Sequence, residues 1–268
     1  MTRPDPVSAI RTRAYRAALW AYARVRRGGP PKEGLRVLMY HSIGTPVEGD
    51  TRGQYNISYA LFERHMRYLA EHYAQDLIPI DSPASTERQM RIAVTFDDGY
   101  RNNLQVAAPL LVELRIPFTV FVCTGAVAGR YADFLQPEDV RELAHLRGAT
   151  IGSHSVSHSH LTKADDRKLH EELLDSKAYL EELLGTGVNL LSYPHGAVDR
   201  RVRDAAENAG YRIGATSRFD INWPGQDPLL LCRTDIWADD DIPVFQQKLQ
   251  GDWDWYRWRT ADPGRKAK

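Results

Sequence analysis

The stretch Arg91-Ile-Ala-Val-Thr-Phe-Asp-Asp-Gly-Tyr100 constrains what this chain can fold into more than any other. Its apolar, β-branched run from Ile92 to Phe96 stops at two adjacent carboxylates and a glycine. That pattern predicts a buried strand delivering Asp97 and Asp98 to a sheet end, with Gly99 permitting the sharp exit. Two neighbouring acids there repel one another unless a proton or a cation separates them. Taken alone, an Asp-Asp-Gly is more often the polar turn that follows a strand.

A second stretch shifts that balance. Gly152-Ser-His-Ser-Val-Ser-His158 spaces two histidines at i and i+4. In an extended chain they would stand roughly 13 Å apart, too far to share an ion. On a helical turn the same spacing puts both on one face, so a helical turn is the expectation. Two imidazoles and one carboxylate make a three-ligand site with a position left for water, the pattern of a catalytic zinc.

The rest of the chain alternates strand and helix signals. Strands are expected over 36–41, 77–80, 117–123, 149–152, 188–193 and 211–215, and helices over 103–114, 136–146, 201–209 and from 241. Ser58 should cap a helix with Phe62, Met66, Leu69 and Tyr73 on one face, and Thr162 a longer one to Leu184 whose charged side is solvated. His65, His72, His145 and His170 fall on amphipathic helices and read as surface residues, and His160 as a solvated loop residue. Such alternation implies an α/β fold with a parallel sheet, and this many units suggest a barrel with its chemistry at the carboxyl ends of the strands. A chain of 268 residues with 43% hydrophobic content can build that as one core. Cys123 and Cys232 give no disulfide framework, and Cys123, in an apolar run, is expected as a buried thiol.

Thr95-Phe-Asp-Asp-Gly-Tyr100 and Ser153-His-Ser-Val-Ser-His158 resemble the first two motifs of the polysaccharide deacetylases, the NodB-like carbohydrate esterases. The resemblance covers roughly residues 35 to 250. It implies an irregular, distorted TIM-like (β/α)₇-type barrel, with Asp97 as catalytic base and Asp98, His154 and His158 holding Zn²⁺ or another divalent transition metal. Leu190-Leu-Ser-Tyr-Pro-His-Gly196 resembles the third motif, with Ser192 where the family usually has arginine and His195 where it has tyrosine. Tyr100, Pro194, His195 and Trp237 are then the residues implied along the substrate and oxyanion groove. The missing arginine normally orients the catalytic aspartate; Arg233 could supply that guanidinium from another strand, or could pair with Asp235 for structure alone. The family's usual late acid histidine is absent, since no histidine follows His195. Met39-Tyr-His-Ser-Ile-Gly44 resembles instead the poly-N-acetylglucosamine deacetylase branch, which implies His41 as the general acid.

The implied activity is metal-dependent removal of the N-acetyl group from an amino sugar in a glycan or glycolipid. A C–N hydrolase acting on a small or cyclic amide is the alternative, and a non-catalytic carbohydrate-binding module a more distant one. The formal charge is zero but unevenly spread: residues 1–32 hold seven Arg and one Lys against one Asp. The tail from Arg257 holds five basic residues against Asp262, so the middle is acidic and argues against nucleic acid. The organisation expected is a basic helix and linker over 1–32, a catalytic domain over 33–256 and a basic tail over 257–268. The N-terminal helix, with Arg13, Arg16, Arg24 and Arg27 on one side, could lie on an anionic membrane surface or pack on the domain. The N-terminus is not a convincing export signal, so the expected location is cytoplasmic, with the inner face of the membrane as an option open to the basic helix. Trp253, Trp255 and Trp258 read as packing of a terminal helix or as sugar- or lipid-facing rings.

Overall fold

The computed structural model describes Ala21 and residues 33–46, 50, 53–82 and 89–259. Apart from Ala21, the expected N-terminal helix and linker, and the tail beyond 259, fall outside the described residues. The strands are β1 Gly34–Tyr40, β2 Ser42–Ile43, β3 Asn56–Ile57, β4 Met90–Phe96, β5 Phe118–Val122, β6 Ala149–Ser153, β7 Leu190–Ser192, β8 Ile213–Ala215 and β9 Thr234–Asp235. The α-helices are α1 Tyr59–His72, α2 Ala108–Glu113, α3 Thr124–Ala128, α4 Pro137–His145, α5 Asp166–Leu184, α6 Arg200–Asn208 and α7 Ile242–Gln250.

Seven strands form one parallel sheet in the order β8-β7-β6-β5-β4-β1-β9, and β2 and β3 form a small side sheet. A parallel bridge between Ala215 and Leu231, just before β9, brings the two ends of the large sheet together. The sheet therefore curls into the distorted barrel expected. Its strands are apolar on both faces because both are covered. Val37, Ala93, Phe121, Leu190 and Leu231 fill the interior, while Leu38, Tyr40, Ile92, Val94, Phe96 and Val120 pack under the helices.

Several elements differ from the sequence reading. The short strand over 77–80 reduces to a single bridge from Leu77 to Ile92. The helix over 103–114 begins as a π-helical turn, Asn103–Ala107, in which the Ala108 N–H donates to Asn103. Pro109 follows at once and has no N–H to give, so the regular ladder starts only beyond it. The N-cap of α5 is Asp165, whose carboxylate accepts from the Lys168 N–H; Thr162 sits in a preceding 3₁₀ turn. Ser58 caps α1 as its sequence indicates.

His65 is the main reversal. It is fully buried on the apolar face of α1, not on the surface. Its ring stacks on Phe245 at 4.1 Å. Burial pushes its pKa down to about 4, so it is neutral: Nε2–H donates to the Asp240 carbonyl at 2.7 Å, and Nδ1 accepts from Tyr40 at 3.2 Å. His72, His145 and His170 are exposed. Cys123 and Cys232 are both buried, and neither is in a disulfide. Trp253 is buried against Trp237, whereas Trp258 is exposed. Among the described residues no helix is long and apolar enough to cross a membrane.

Candidate active site

The site residues gather where the strands end. Along β4, Ala93 and Thr95 face the barrel interior, and the two-residue period carries Asp97 inward after them. The same period would turn Asp98 outward. Left-handed backbone at Asp98 (φ 71°) and Gly99 (φ 75°) breaks the alternation there. The cost of that conformation at a non-glycine residue is a reason to look for function beside it.

His154 follows β6 directly, but residues 154–158 form no helical turn. They make a loop with left-handed φ at Ser155 (63°) and His158 (57°), and those two reversals close the distance that an extended chain would leave. His158 Nε2 lies 3.2 Å and His154 Nε2 3.4 Å from Asp98 Oδ1. All three potential ligand atoms lie within 4.8 Å of one another. His154 Nδ1–H donates to the Ser192 carbonyl at 2.8 Å, which leaves the Nε2 lone pair directed at Asp98. Asp98 Oδ1 is buried and has no aligned hydrogen-bond donor. A carboxylate oxygen and two imidazole nitrogens converging without a hydrogen bond among them fit a divalent cation. Burial would raise the Asp98 carboxyl, yet the facing imidazoles hold it well below the usual range.

Asp97 stands next to this trio in a different environment. It is 3% exposed and is gripped by both arms of Arg233, Nη1 to Oδ1 and Nη2 to Oδ2, each at 2.7 Å. Arg233 is itself fully buried and is held by the Thr216 carbonyl at Nε (2.7 Å). Ser192 Oγ accepts from Arg233 Nη2 at 2.8 Å and donates to Asp97 Oδ2 at 3.1 Å. A serine at 192 thus leaves room for a guanidinium arriving from the β9 side. Burial works to raise the Asp97 pKa, but Arg233, and then His154, pull it down to about 2.

His41 ends β1. Asn103 donates to its carbonyl at 2.7 Å, and its ring lies 4.5 Å from that of Tyr55. Its Nδ1 is buried without a hydrogen-bond partner, and so is Oδ1 of Asp235. The two residues come from neighbouring strands, since Met39 pairs with Asp235. Burial holds the Asp235 carboxyl above its ordinary range, with His41 the strongest influence drawing it back. In the sequence, Asp235 stands out only as a possible partner for Arg233. The signal was its place one residue beyond Thr234, on the same strand face as Arg233.

The other predicted groove residues are less closely gathered. Tyr100 stacks on Phe134 at 5.0 Å, and burial and then Asp98 keep its hydroxyl protonated. Pro194 is buried, and His195, left-handed at φ 58°, donates from Nε2 to the His158 carbonyl at 3.1 Å. His160 is exposed but not free of contacts, for it stacks on His195 at 4.0 Å. Burial, then His158 and His160, push His195 down to about 4. Trp237 is nearly fully buried in a C-terminal aromatic cluster, with Lys248 Nζ 3.8 Å above its ring.

A family model described as polysaccharide deacetylase matches residues 84–214, which include Asp97, Asp98, His154, His158 and the Pro194-His195 segment but not His41, Arg233 or Trp237. YxkH of Bacillus subtilis, a protein assigned as a polysaccharide deacetylase, is 28% identical over 188 residues, 68% of this chain and 64% of that protein. A poly-β-1,6-N-acetyl-D-glucosamine N-deacetylase of Staphylococcus aureus is 23% identical over 175 residues, 60% of each chain. The chain thus spans less than two thirds of the length of these relatives. The solved structure of a polysaccharide deacetylase from Bacillus cereus superposes with a TM-score of 0.71 at 25% identity, over 81% of this chain and 69% of that one. The motif residues, the curled parallel sheet and the Asp-His-His cluster all agree with this likeness to the polysaccharide deacetylase family.

Proposed function

We propose that this protein is a metal-dependent N-deacetylase that hydrolyses the acetamide of an N-acetylated amino sugar in a glycan or glycolipid, with zinc as its cation. One observation carries the reading: a buried, ionised Asp97 sits beside the Asp98, His154 and His158 cluster but takes its partners from Arg233 and Ser192. A binding module has no use for a second, separately held carboxylate at such a cluster. Asp98, His154 and His158 would hold the cation. The chemistry supplied by a divalent ion held there is polarisation of the amide carbonyl and acidification of water, which lets a carboxylate as weakly basic as Asp97 suffice.

The remaining steps belong to the chain. Asp97 accepts a proton from the attacking water as the new C–O bond forms. Arg233 and Ser192 keep its oxygens from rotating away during that transfer. His154 holds its own tautomer fixed through the Ser192 carbonyl. His41 gives a proton to the sugar nitrogen as the C–N bond breaks, so that a neutral amine leaves with acetate. Poly-N-acetylglucosamine, the substrate named for the staphylococcal relative, is the polymer to try first.

The test is mass spectrometry of N-acetylglucosamine oligomers incubated with protein and Zn²⁺, beside small linear and cyclic amides. Loss of acetyl groups from the oligomers alone is the expected result; turnover of the small amides alone would replace this reading with the small-amide hydrolase. Asp97→Asn should keep the metal and lose turnover, while His154→Ala should lose both. Full metal content in His154→Ala would overturn the ligand set.

A further inference from the structure

Glu172 lies in the middle of α5, on a helix whose charged side was expected to face solvent, yet its side chain is fully buried. It points at the loop that carries His154 and His158. Oε2 accepts from the Val156 N–H at 2.9 Å and from the Ser157 N–H at 2.8 Å. Oε1 accepts from the Ser157 hydroxyl at 2.5 Å and faces Lys168 Nζ at 3.0 Å. One turn further along the same face, Ser176 meets Ser153 at 2.6 Å, and Ser153 Oγ accepts from the Ser155 N–H.

The carbonyls on the opposite side of the loop are also taken. Ser155 accepts from the Thr124 N–H at 3.1 Å and Val156 from the Gly125 N–H at 2.8 Å, both at the start of α3. That approach requires glycine, because a Cβ at position 125 would come within 2.5 Å of the Val156 oxygen. The loop has no ladder of its own. Between its two histidines it holds a left-handed residue, and His158 is left-handed itself, a conformation that L side chains rarely adopt. Its shape is therefore imposed from two sides, by α3 on its carbonyls and by one carboxylate on its N–H groups.

We propose that Glu172 is the positioning residue that sets the spacing of His154 and His158, and through it the affinity of the site for a divalent cation. It would do so without touching the cation or the substrate. The inference rests on the metal-site reading above and extends it to a residue outside the site. Only a carboxylate offers two acceptor oxygens to the three donors of the loop and to Lys168 at this place. The glutamine of equal size offers one oxygen and turns an NH₂ group toward one of the donors.

Isothermal titration of Zn²⁺ into metal-free wild type, Glu172→Gln and Glu172→Asp tests this, with the absorption spectrum of bound Co²⁺ as a reporter of ligand geometry. Glu172→Gln should weaken Zn²⁺ binding roughly 10- to 100-fold, the range found for groups that orient metal ligands, and should alter the Co²⁺ spectrum. Glu172→Asp keeps the charge but withdraws it by one methylene, so it should fall between the two. It also carries the test should the glutamine variant fail to fold. Wild-type Zn²⁺ affinity and an unchanged Co²⁺ spectrum in a folded variant, even one with a lowered melting temperature, would overturn the inference and leave Glu172 a purely structural residue. Absence of Zn²⁺ binding by the wild type would instead overturn the metal-site reading, and the inference with it.

Discussion

Arg233 and Arg36 are both fully buried, and each forks onto a single aspartate, but they work on opposite faces of the sheet. Arg233 meets Asp97 where β4 ends and the chemistry is proposed. Arg36, near the start of β1, meets Asp254 of the C-terminal segment at 2.6 and 3.2 Å, with Thr234 as a third contact at 3.1 Å. The surroundings differ. Every nitrogen of Arg233 is engaged, and Ser192 ties the pair together from the side. Arg36 Nε has no hydrogen-bond partner, and its aspartate belongs to a short 3₁₀ turn laid over the sheet. Either pair, if broken by removing one member, leaves an uncompensated buried charge at a cost of ~3–5 kcal/mol. The difference teaches that burial of an ion pair marks neither function nor mere packing. Fixing a carboxylate from several directions at a strand's carboxyl end is what separates the two.

The largest effect should come from loosening the better-held pair. Arg233→Lys keeps a positive charge but replaces a planar fork with a single mobile point. Asp97 would remain ionised and lose its fixed orientation. We expect kcat on acetylated oligomers to fall by roughly 10²–10⁴, the range that a positioned base contributes, with metal content unchanged. Deacetylation at more than half the wild-type rate would mean that the charge alone matters, and the contrast with Arg36 would collapse.

Acidification should separate regions by another route. The folded pKa of His65 lies at about 4, below its ordinary 6.5, so the unfolded chain takes up a proton first as pH falls. Stability from keeping His65 neutral is therefore complete above pH 6.5 and is lost between there and pH 4, by about 3 kcal/mol. Asp97, held at about 2 against an ordinary 3.8, loses its contribution only below that window. The α1 flank thus weakens before the Arg233–Asp97 pair does. Urea unfolding between pH 7 and 4 should show the decline, and His65→Leu should flatten it. An equally steep decline in that variant would assign the loss elsewhere.

How much of this was legible in the sequence follows from how local each cause is. Asp97, Asp98, His154 and His158 could be found because two short strings place them after strands, where a barrel builds its site. The loop between the histidines could not, because its left-handed turns are imposed by Glu172 and Gly125 from two other elements. Arg233 was visible as a candidate. Its choice of Asp97 over Asp235 depends on the curl that brings β9 round beside β1, which no local pattern encodes. His65 was misread although it stands three residues after Phe62 on the same stripe, because the carbonyl that makes its burial tolerable comes from Asp240, far along the chain. The displaced cap of α5 has a smaller cause: Asp165 and Thr162 are both good caps, and the competition was settled by the turn around Leu161.

The smallest effect is expected from removing the Arg36 pair altogether. Replacing both members, Arg36→Met with Asp254→Leu, takes away two desolvated charges at once and leaves apolar side chains to fill their space. Exchanges of this kind are often neutral or stabilising, so the stability measured in urea should change by no more than about 1 kcal/mol, even though Arg36→Met alone strands Asp254 and should cost several times that. Arg36 and Asp254 make no contact with Asp97, Asp98 or either metal-facing histidine, so kcat should stay within about twofold of wild type. A corresponding double replacement of Arg233 and Asp97 would fold and catalyse nothing, since the proton acceptor itself is gone. If the Arg36 and Asp254 double variant instead loses activity while remaining as stable as the wild type, the C-terminal turn must shape the site through β9. The division between a structural and a functional arginine would then have to be redrawn around that strand.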